Sequence, residues 1–317
     1  MRVIDIINAA KKPLFTFELL PPLKGRSIES VNKMVETLLP YDPAYINITN
    51  HQMVTIYVER EDGLIERRTT RKRPGTIGLS ASLQHRYHIP VVPHLICGGQ
   101  SKEQLEDQLM ELNFLGLENV LALRGDPPTG ERRFVATEGG YEHTDQMVKQ
   151  ISDANRGIFL DPSLKETIPT SFCIGVAGYP EKHSEAPNLE HDIINLKKKV
   201  DAGSEYIVTQ MFFINESYFK FVEKCRLANI NVPIIPGIKP IQRKSDLDLL
   251  PQTFNVDLPQ ALVDQILEAK DPQEIREIGI DFCIKQVKEL LDADVPGVHF
   301  YTQSRAEPVK QVVRATF

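Results

Sequence analysis

Two carboxylates in this sequence stand where a carboxylate is costly. Glu18 interrupts the apolar run Phe17-Glu18-Leu19-Leu20 just before Pro21-Pro22, and Asp126 sits in Arg124-Gly125-Asp126-Pro127-Pro128. An ionised carboxyl in apolar surroundings is destabilising unless it is paired or put to use. For Glu18 two readings stand: an ion pair with a core arginine, or a buried acid whose raised pKa lets it donate a proton near neutral pH. For Asp126 the choice is between a plain turn residue and a second functional carboxylate. Other polar side chains break apolar runs in the same way: Asn47 and Thr49, His94, the stretch from Tyr179 to His183, Gln210, Lys239 and, near the end, Arg305. His94 and Cys97 have an H-x-x-C spacing, but no second pair completes a zinc site, so no metal is predicted. No G-x-G-x-x-G fingerprint, G-x-x-x-x-G-K loop, or nucleophile-histidine arrangement is present. These residues alone point to an enzyme using one or two carboxylates on a polar organic substrate.

The elements that must position them are legible from periodicity. Short apolar runs fall at Leu14–Leu19, Tyr45–Thr49, Val91–Cys97, Asn119–Arg124, Phe172–Ala177, Tyr206–Phe213, Val232–Ile238 and Gly297–Thr302. Most are apolar on both faces, as expected of parallel strands covered by helices. Helices lie between them. Ile28, Val31, Met34, Val35 and Leu38 mark one apolar face, and Ser101 with Gln104 forms a capping box ahead of Leu105, Leu109 and Leu112. Asn188 and Asn215 open two more, and Asp271-Pro272 begins the long helix carrying Ile275, Ile278 and Phe282. Eight strand-helix repeats predict an α/β fold of one domain spanning residues 1–317, a (β/α)₈ TIM barrel, with a doubly wound open sheet as the alternative. Val54–Val58 and Leu64–Arg68 flank Asp62-Gly63, which predicts a β-hairpin inserted after the second strand. It leads into Arg67, Arg68, Arg71, Lys72 and Arg73, read either as a solvated basic face or as a subunit contact or phosphate-binding segment. In barrels of this kind the chemistry sits where the strands end, which is where Glu18 and Asp126 fall.

Composition narrows the function classes. With 41% hydrophobic and 25% charged residues in 317, the chain is globular rather than disordered. A formal charge of −6 argues against broad binding to nucleic acid or anionic membrane. No apolar run approaches the roughly 20 residues that cross a bilayer, and Met1 to Lys12 does not read as a signal peptide. Cys97, Cys173, Cys225 and Cys283 lie singly in apolar patterns and are expected to be buried, reduced thiols, consistent with a cytoplasmic location.

A resemblance adds to this. Phe17-Glu18 with Pro21-Pro22, Pro93-His94-Leu95, Ala122 to Asp126, Ala177 to Glu181 with His183, Lys199 to Gly203, Thr209 to Phe213, Ile235 to Ile238, and His299 to Thr302 with Arg305 to Glu307 together resemble methylenetetrahydrofolate reductases. They occur in the family's order over nearly the whole chain. The resemblance implies a FAD-containing barrel that reduces 5,10-methylenetetrahydrofolate to 5-methyltetrahydrofolate with NADH or NADPH in two half-reactions, supplying methyl groups for methionine synthesis. NADH is the expectation for a bacterial-type chain, and a homo-oligomer is expected. It implies Glu18 as the general acid that opens the folate's imidazolidine ring, and Asp126 as the carboxylate beside flavin and pterin. It implies FAD contacts from Thr49, His94, Arg124, Gly125, Asp126, Tyr179, His183, Ala186, Asp192, Asn195, Lys198 and Lys199, and substrate contacts from Glu18, Asp126, Gln210 and Arg305, the last pairing with a folate carboxylate. Asp192, Asn195, Lys198 and Lys199 then share one helix face.

The sequence departs from that pattern in places. Asn50-His51-Gln52 replaces a Tyr-Gly-Ala segment, Asp246 stands where some members have a folate-contacting glutamine, Leu250 where some have an aromatic, and Tyr141 to His143 align ambiguously. Inhibition by S-adenosylmethionine is not expected, since no regulatory domain follows Phe317. A proline dehydrogenase-like flavin barrel is the competing enzyme reading, and an inactive folate- or flavin-binding protein the non-enzyme one.

Overall fold

The computed structural model describes residues 1–127, 133–303 and 305–317. Ten strands occur among them: β1 (Leu14–Leu19), β2 (Tyr45–Ile48), β3 (Val54–Glu59), β4 (Ile65–Thr70), β5 (Val91–Ile96), β6 (Asn119–Leu123), β7 (Cys173–Gly178), β8 (Tyr206–Met211), β9 (Ile234–Ile238) and β10 (Gly297–Tyr301). Eight of them close a parallel barrel in the order β1-β10-β9-β8-β7-β6-β5-β2. The closing pair is β1 with β10, in the register Leu14↔Gly297 to Glu18↔Tyr301, which excludes the open doubly wound sheet. The remaining two form the hairpin after the second barrel strand, antiparallel from Val54↔Thr70 to Glu59↔Ile65. Its turn needs Gly63, whose φ of +77° is costly for residues with a Cβ.

Helices cover the barrel: α1 (Val3–Ala9), α2 (Glu29–Leu38), α3 (Thr76–Tyr87), α4 (Lys102–Phe114), α5 (Thr144–Ala154), α6 (Leu189–Asp201), α7 (Asn215–Leu227), α8 (Asp246–Phe254), α9 (Gln260–Glu268), α10 (Pro272–Asp292) and α11 (Ala306–Thr316). The predicted caps at Ser101, Asn188 and Asp271 accept backbone N–H groups of their helices. Two details differ from the expected stripes. Ile28 is exposed, because it precedes the first turn of α2. In α10 the buried stripe is Ile275, Gly279, Ile280, Cys283 and Val287, while Ile278 and Phe282 flank it and pack on a separate cluster around α8 and α9.

Strand alternation sorts the core into an outer and an inner part. Phe15, Phe17, Leu19, Ile46 and Ile48 point outward to the helices. Tyr45, Val92, Leu121, Cys173, Tyr206, Val208 and Ile235 fill the barrel together with Val3 and Ile7 of α1. That helix, absent from the sequence reading, caps the barrel's N-terminal end. It is anchored by Arg2, whose guanidinium meets both Glu205 oxygens at 2.5 and 2.6 Å, and by Val3 N–H donating to Asn119 Oδ1 at 2.7 Å. Farther along the axis the interior becomes polar: Thr16, Asn47, His94 and His299 are all buried, and Thr16 Oγ1 lies 2.7 Å from His299 Nδ1. All four cysteines are buried and free. Among the described residues no helix is long and apolar enough to cross a membrane.

Because Val3 and Ile7 complete the inner core, the double change Val3→Ala/Ile7→Ala should cost about 3–5 kcal/mol of stability. A fall in the urea midpoint without change in slope is the expected result.

Candidate active site

Glu18 is the last inward-facing residue of β1, flanked in the sheet by Asn47 and Tyr301. It is 9% exposed, and its backbone carbonyl accepts from Thr302 Oγ1 at 2.8 Å. Among the described residues its carboxyl has neither an ion-pair nor a hydrogen-bond partner, so the core-arginine reading does not hold. Desolvation alone pushes its pKa up to about 8, leaving it a protonated acid at neutral pH. Burial also raises the Tyr301 phenol far above its ordinary value, and the nearby Glu18 and Tyr179 push it the same way. His94 and His299 are driven down to about 3, chiefly by desolvation, and are neutral imidazoles. Asn47 is fully buried with neither side-chain atom hydrogen-bonded, and His94 Nε2 is likewise unpartnered. The mouth of the barrel thus presents buried polar atoms that a polar ligand could bond.

Beside the mouth runs a cleft of about 300 Å³ over the C-terminal ends of β6 and β7, walled by α6 and the start of α5. Eight of the predicted cofactor residues line it: Arg124, Tyr179, His183, Ala186, Asp192, Asn195, Lys198 and Lys199. Asp192 fixes the β7–α6 loop by accepting from His183 N–H at 2.9 Å, and the Tyr179 and His183 rings meet edge-on at 4.8 Å. Arg124 pairs with Glu185 at 2.7 Å. Lys199 donates to the Ala177 carbonyl at 2.6 Å, and desolvation lowers its pKa to about 8 although Asp192 opposes the shift. The Lys197 to Lys199 run divides accordingly. Lys197 pairs with Asp201 on the surface, and the other two face the cleft. Tyr179 joins the two regions: burial raises its pKa first, and the charges of Asp192 in the cleft and Asp126 at the mouth add to the rise.

The other predicted residues fall around this centre. Gly125 has φ +87°, and an added Cβ would approach Ile96 Cβ to 3.3 Å, so glycine is required there. Thr49 is buried with Oγ1 at 3.2 Å from His51 Nε2. Asp126 is exposed, and its backbone carbonyl accepts from Gln52. Gln210 stands at an irregularity between β8 and β9, with its side-chain oxygen accepting from Met211 N–H at 2.9 Å. Arg305 lies apart from the cleft. It is exposed, donates to Gln242 Oε1 at 3.2 Å, and lines a cavity of about 550 Å³ beside α10 and α11. Asp246 is not available to a ligand, being 1% exposed and held by Lys239 at 3.3 Å and by Gln242 N–H at 3.0 Å. Leu250 is fully buried in the cluster around α8. Sequence reasoning missed Tyr301, Thr144 and Glu185; it noted Asn47 only as a polar residue at a strand end and His143 only within an ambiguously aligned segment. His143 and Thr144 reach the cleft because α5 begins there, a placement that follows from the barrel's closure rather than from local pattern.

A family model described as "Methylenetetrahydrofolate reductase" matches residues 2–316. The chain belongs to the methylenetetrahydrofolate reductase family. "Methylenetetrahydrofolate reductase (NADH) 1" of Arabidopsis thaliana is 30% identical over 95% of the chain and 48% of the plant protein. "Methylenetetrahydrofolate reductase 1" of Schizosaccharomyces pombe is 28% identical over 96% of the chain and 46% of the yeast protein. The chain therefore spans about half the length of these reductases. "5,10-Methylenetetrahydrofolate reductase" of Pectobacterium carotovorum is 28% identical over 92% of the chain and 86% of its own length. A solved Clostridium thermocellum protein, described as binding two copies of 5-methyl-5,6,7,8-tetrahydrofolic acid, shares the fold with a TM-score of 0.58 at 14% identity, covering 98% of this chain and 96% of its own.

The raised pKa of Glu18 has a consequence for stability. The unfolded carboxyl titrates near 4.5 and the folded one near 8, so the folded state binds more protons between those values. The Glu18 contribution is full below about pH 4.5 and is lost as pH rises through 8. Relative to the wild type, Glu18→Gln should gain on the order of a few kcal/mol between pH 5 and 9 in urea titrations; parallel pH profiles would sink the assignment.

Proposed function

We propose that the chain reduces 5,10-methylenetetrahydrofolate to 5-methyltetrahydrofolate with NADH or NADPH, using bound FAD, and so supplies methyl groups for methionine synthesis in the cytoplasm. The observation that carries this reading is a buried Glu18 at the barrel mouth, without an ion-pair partner among the described residues and with its pKa pushed up to about 8, linked through Tyr301 and Tyr179 to a cation-bearing cleft. Family membership supports it, and the names of relatives include both NADH and NADPH forms.

The cleft's donor set fits a dinucleotide. Lys198, Lys199 and Arg124 offer charge-assisted donors to a diphosphate, and Asp192 offers an acceptor to a ribose diol. Thr49, His94, Gly125 and Asp126 at the strand ends would border the flavin ring. When bound, FAD supplies the two-electron carrier between nicotinamide and folate. Glu18 holds the proton that a weakly basic folate ring nitrogen must receive before the five-membered ring opens to a cationic iminium. The exposed Asp126 carboxylate favours that cation, and the neutral His94 and His299 add no opposing charge. Gln210 would hydrogen-bond the pterin, and Arg305 would meet a carboxylate at the far end of the folate. The exposed hairpin suits a contact between copies in a homo-oligomer.

Purified protein should show a flavin spectrum that NADH or NADPH bleaches and methylenetetrahydrofolate restores. Glu18→Gln should keep the bleaching step and slow folate reduction by roughly 10²–10⁴-fold; normal turnover in that variant would remove Glu18 from the acid's role. In the wild type, folate reduction should fall above about pH 8 as Glu18 deprotonates. Lys199→Met should weaken FAD binding by about tenfold or more, read by equilibrium dialysis. Asp126→Asn should shift the flavin potential and slow folate reduction, and an unchanged potential would count against its placement.

A further inference from the structure

The proposed reaction gives no role to the basic run Arg67, Arg68, Arg71, Lys72 and Arg73. Arg68 pairs with Glu66 at 2.8 Å on the exposed hairpin, and Arg73 donates to the Pro21 carbonyl. Arg71 is placed differently. It is half-buried and lines a cavity of about 330 Å³ between α3 and the loop after β5, together with Asn50, Thr76, Gly78, Gly98 and Gln100. One of its guanidinium nitrogens lies 3.6 Å from where a Cβ on Gly75 would stand, so the charge sits over the first turn of α3. Among the described residues Arg71 makes no ion pair.

Three further observations concern the same cavity. The twelve-residue helix α3 starts at Gly75, which offers no side-chain cap to the free N–H groups of its first turn. Thr76 is only 2% exposed, and among the described residues its hydroxyl has no hydrogen-bond partner. The side-chain oxygen of Asn50 is also buried and unpartnered. At Gly78 an added Cβ would meet nothing within 4 Å, so the turn borders open space. The polar groups that are already satisfied lie to one side: Gln108 donates to Gln100, and Gln100 donates to the Ile96 carbonyl. The one carboxylate on the lining, Glu111, is solvent-exposed.

We propose that this cavity binds a phosphate group, held by Arg71, the N-terminal turn of α3 and the Thr76 hydroxyl. A helix N-terminus and a guanidinium both favour an oxyanion, and a buried hydroxyl without a partner costs stability until one arrives. The volume leaves room beyond the phosphate itself, which suits a phosphomonoester. The site is separate from the cleft of Lys198 and Lys199 and does not rest on the flavin reading.

Equilibrium dialysis of FAD-loaded protein against radiolabelled inorganic phosphate at low ionic strength tests it. Saturable binding of one phosphate per chain is expected. Arg71→Gln should weaken it about tenfold or more, with Arg71→Lys retaining part. Thr76→Val, which keeps the side-chain shape, should weaken it several-fold, and it carries the test if Arg71→Gln proves unstable by thermal melting. Lys199→Met, dialysed with FAD raised to keep its cleft filled, should leave it unchanged, which separates this cavity from the flavin cleft. Absence of saturable binding, undiminished binding in both cavity variants, loss confined to Lys199→Met, or equal competition by acetate would each overturn the proposal. Competition by 2′-AMP distinguishes the source: displacement more effective than by unlabelled phosphate marks a nucleotide phosphate, and weaker displacement marks the free ion.

Discussion

Desolvation of a single carboxyl sets the terms for the barrel mouth. Glu18 alternates with the outward-facing Phe17 and Leu19 on a strand paired on both sides, so its side chain points into the barrel. Among the described residues no cation pairs with it there, and the neighbouring imidazoles are neutral because the same dry surroundings disfavour their charged forms. The result is a proton stored at neutral pH on a group that in water would have released it. An ion pair would have stabilised the fold more cheaply and destroyed that property. The apolar filling beneath, from α1 upward, keeps water from entering through the other end.

Charge in the cleft is arranged on a different principle. Lys199 is also desolvated, yet Asp192 and the Ala177 carbonyl keep its ammonium in place. Its cost is offset only partly until a polyanion arrives, so binding energy there depends on groups already oriented. Tyr179 is the hinge between the two environments, feeling Asp192 on one side and Asp126 on the other. A ligand long enough to span both would contact a proton donor at one end and cations at the other.

Much of this architecture could be read from the sequence because strand periodicity and helix caps are local signals. All eight barrel strands were legible, though Thr49, Cys97, Arg124 and Thr302 lie just past the last paired residue, where the chain turns into the mouth. The helix α1 was not, since seven residues with two buried apolar positions carry too little pattern. Within the site, the i, i+3, i+6, i+7 spacing of Asp192, Asn195, Lys198 and Lys199 does bring them to one cleft. Tyr301, Thr144 and Glu185 were invisible because their role comes from neighbours far away in the chain or from the meeting of separate loops. Asp246 shows the converse: a residue that aligns with a binding position is committed to Lys239 and buried.

The loop after β2 carries one further implication, for how the sequence can vary. The Gln52 side chain reaches across to the Asp126 carbonyl and occupies the space that a Cβ on Gly98 would need, at 1.9 Å, and that one on Gly125 would approach at 3.0 Å. Residues 52, 98 and 125 are therefore sterically coupled despite their separation along the chain. A side chain can enter at 98 only where the Gln52 amide, the free end of a flexible side chain, swings away and gives up its bond to the Asp126 carbonyl. Filling position 98 thus trades the crossing between the two loops for a side chain on one of them.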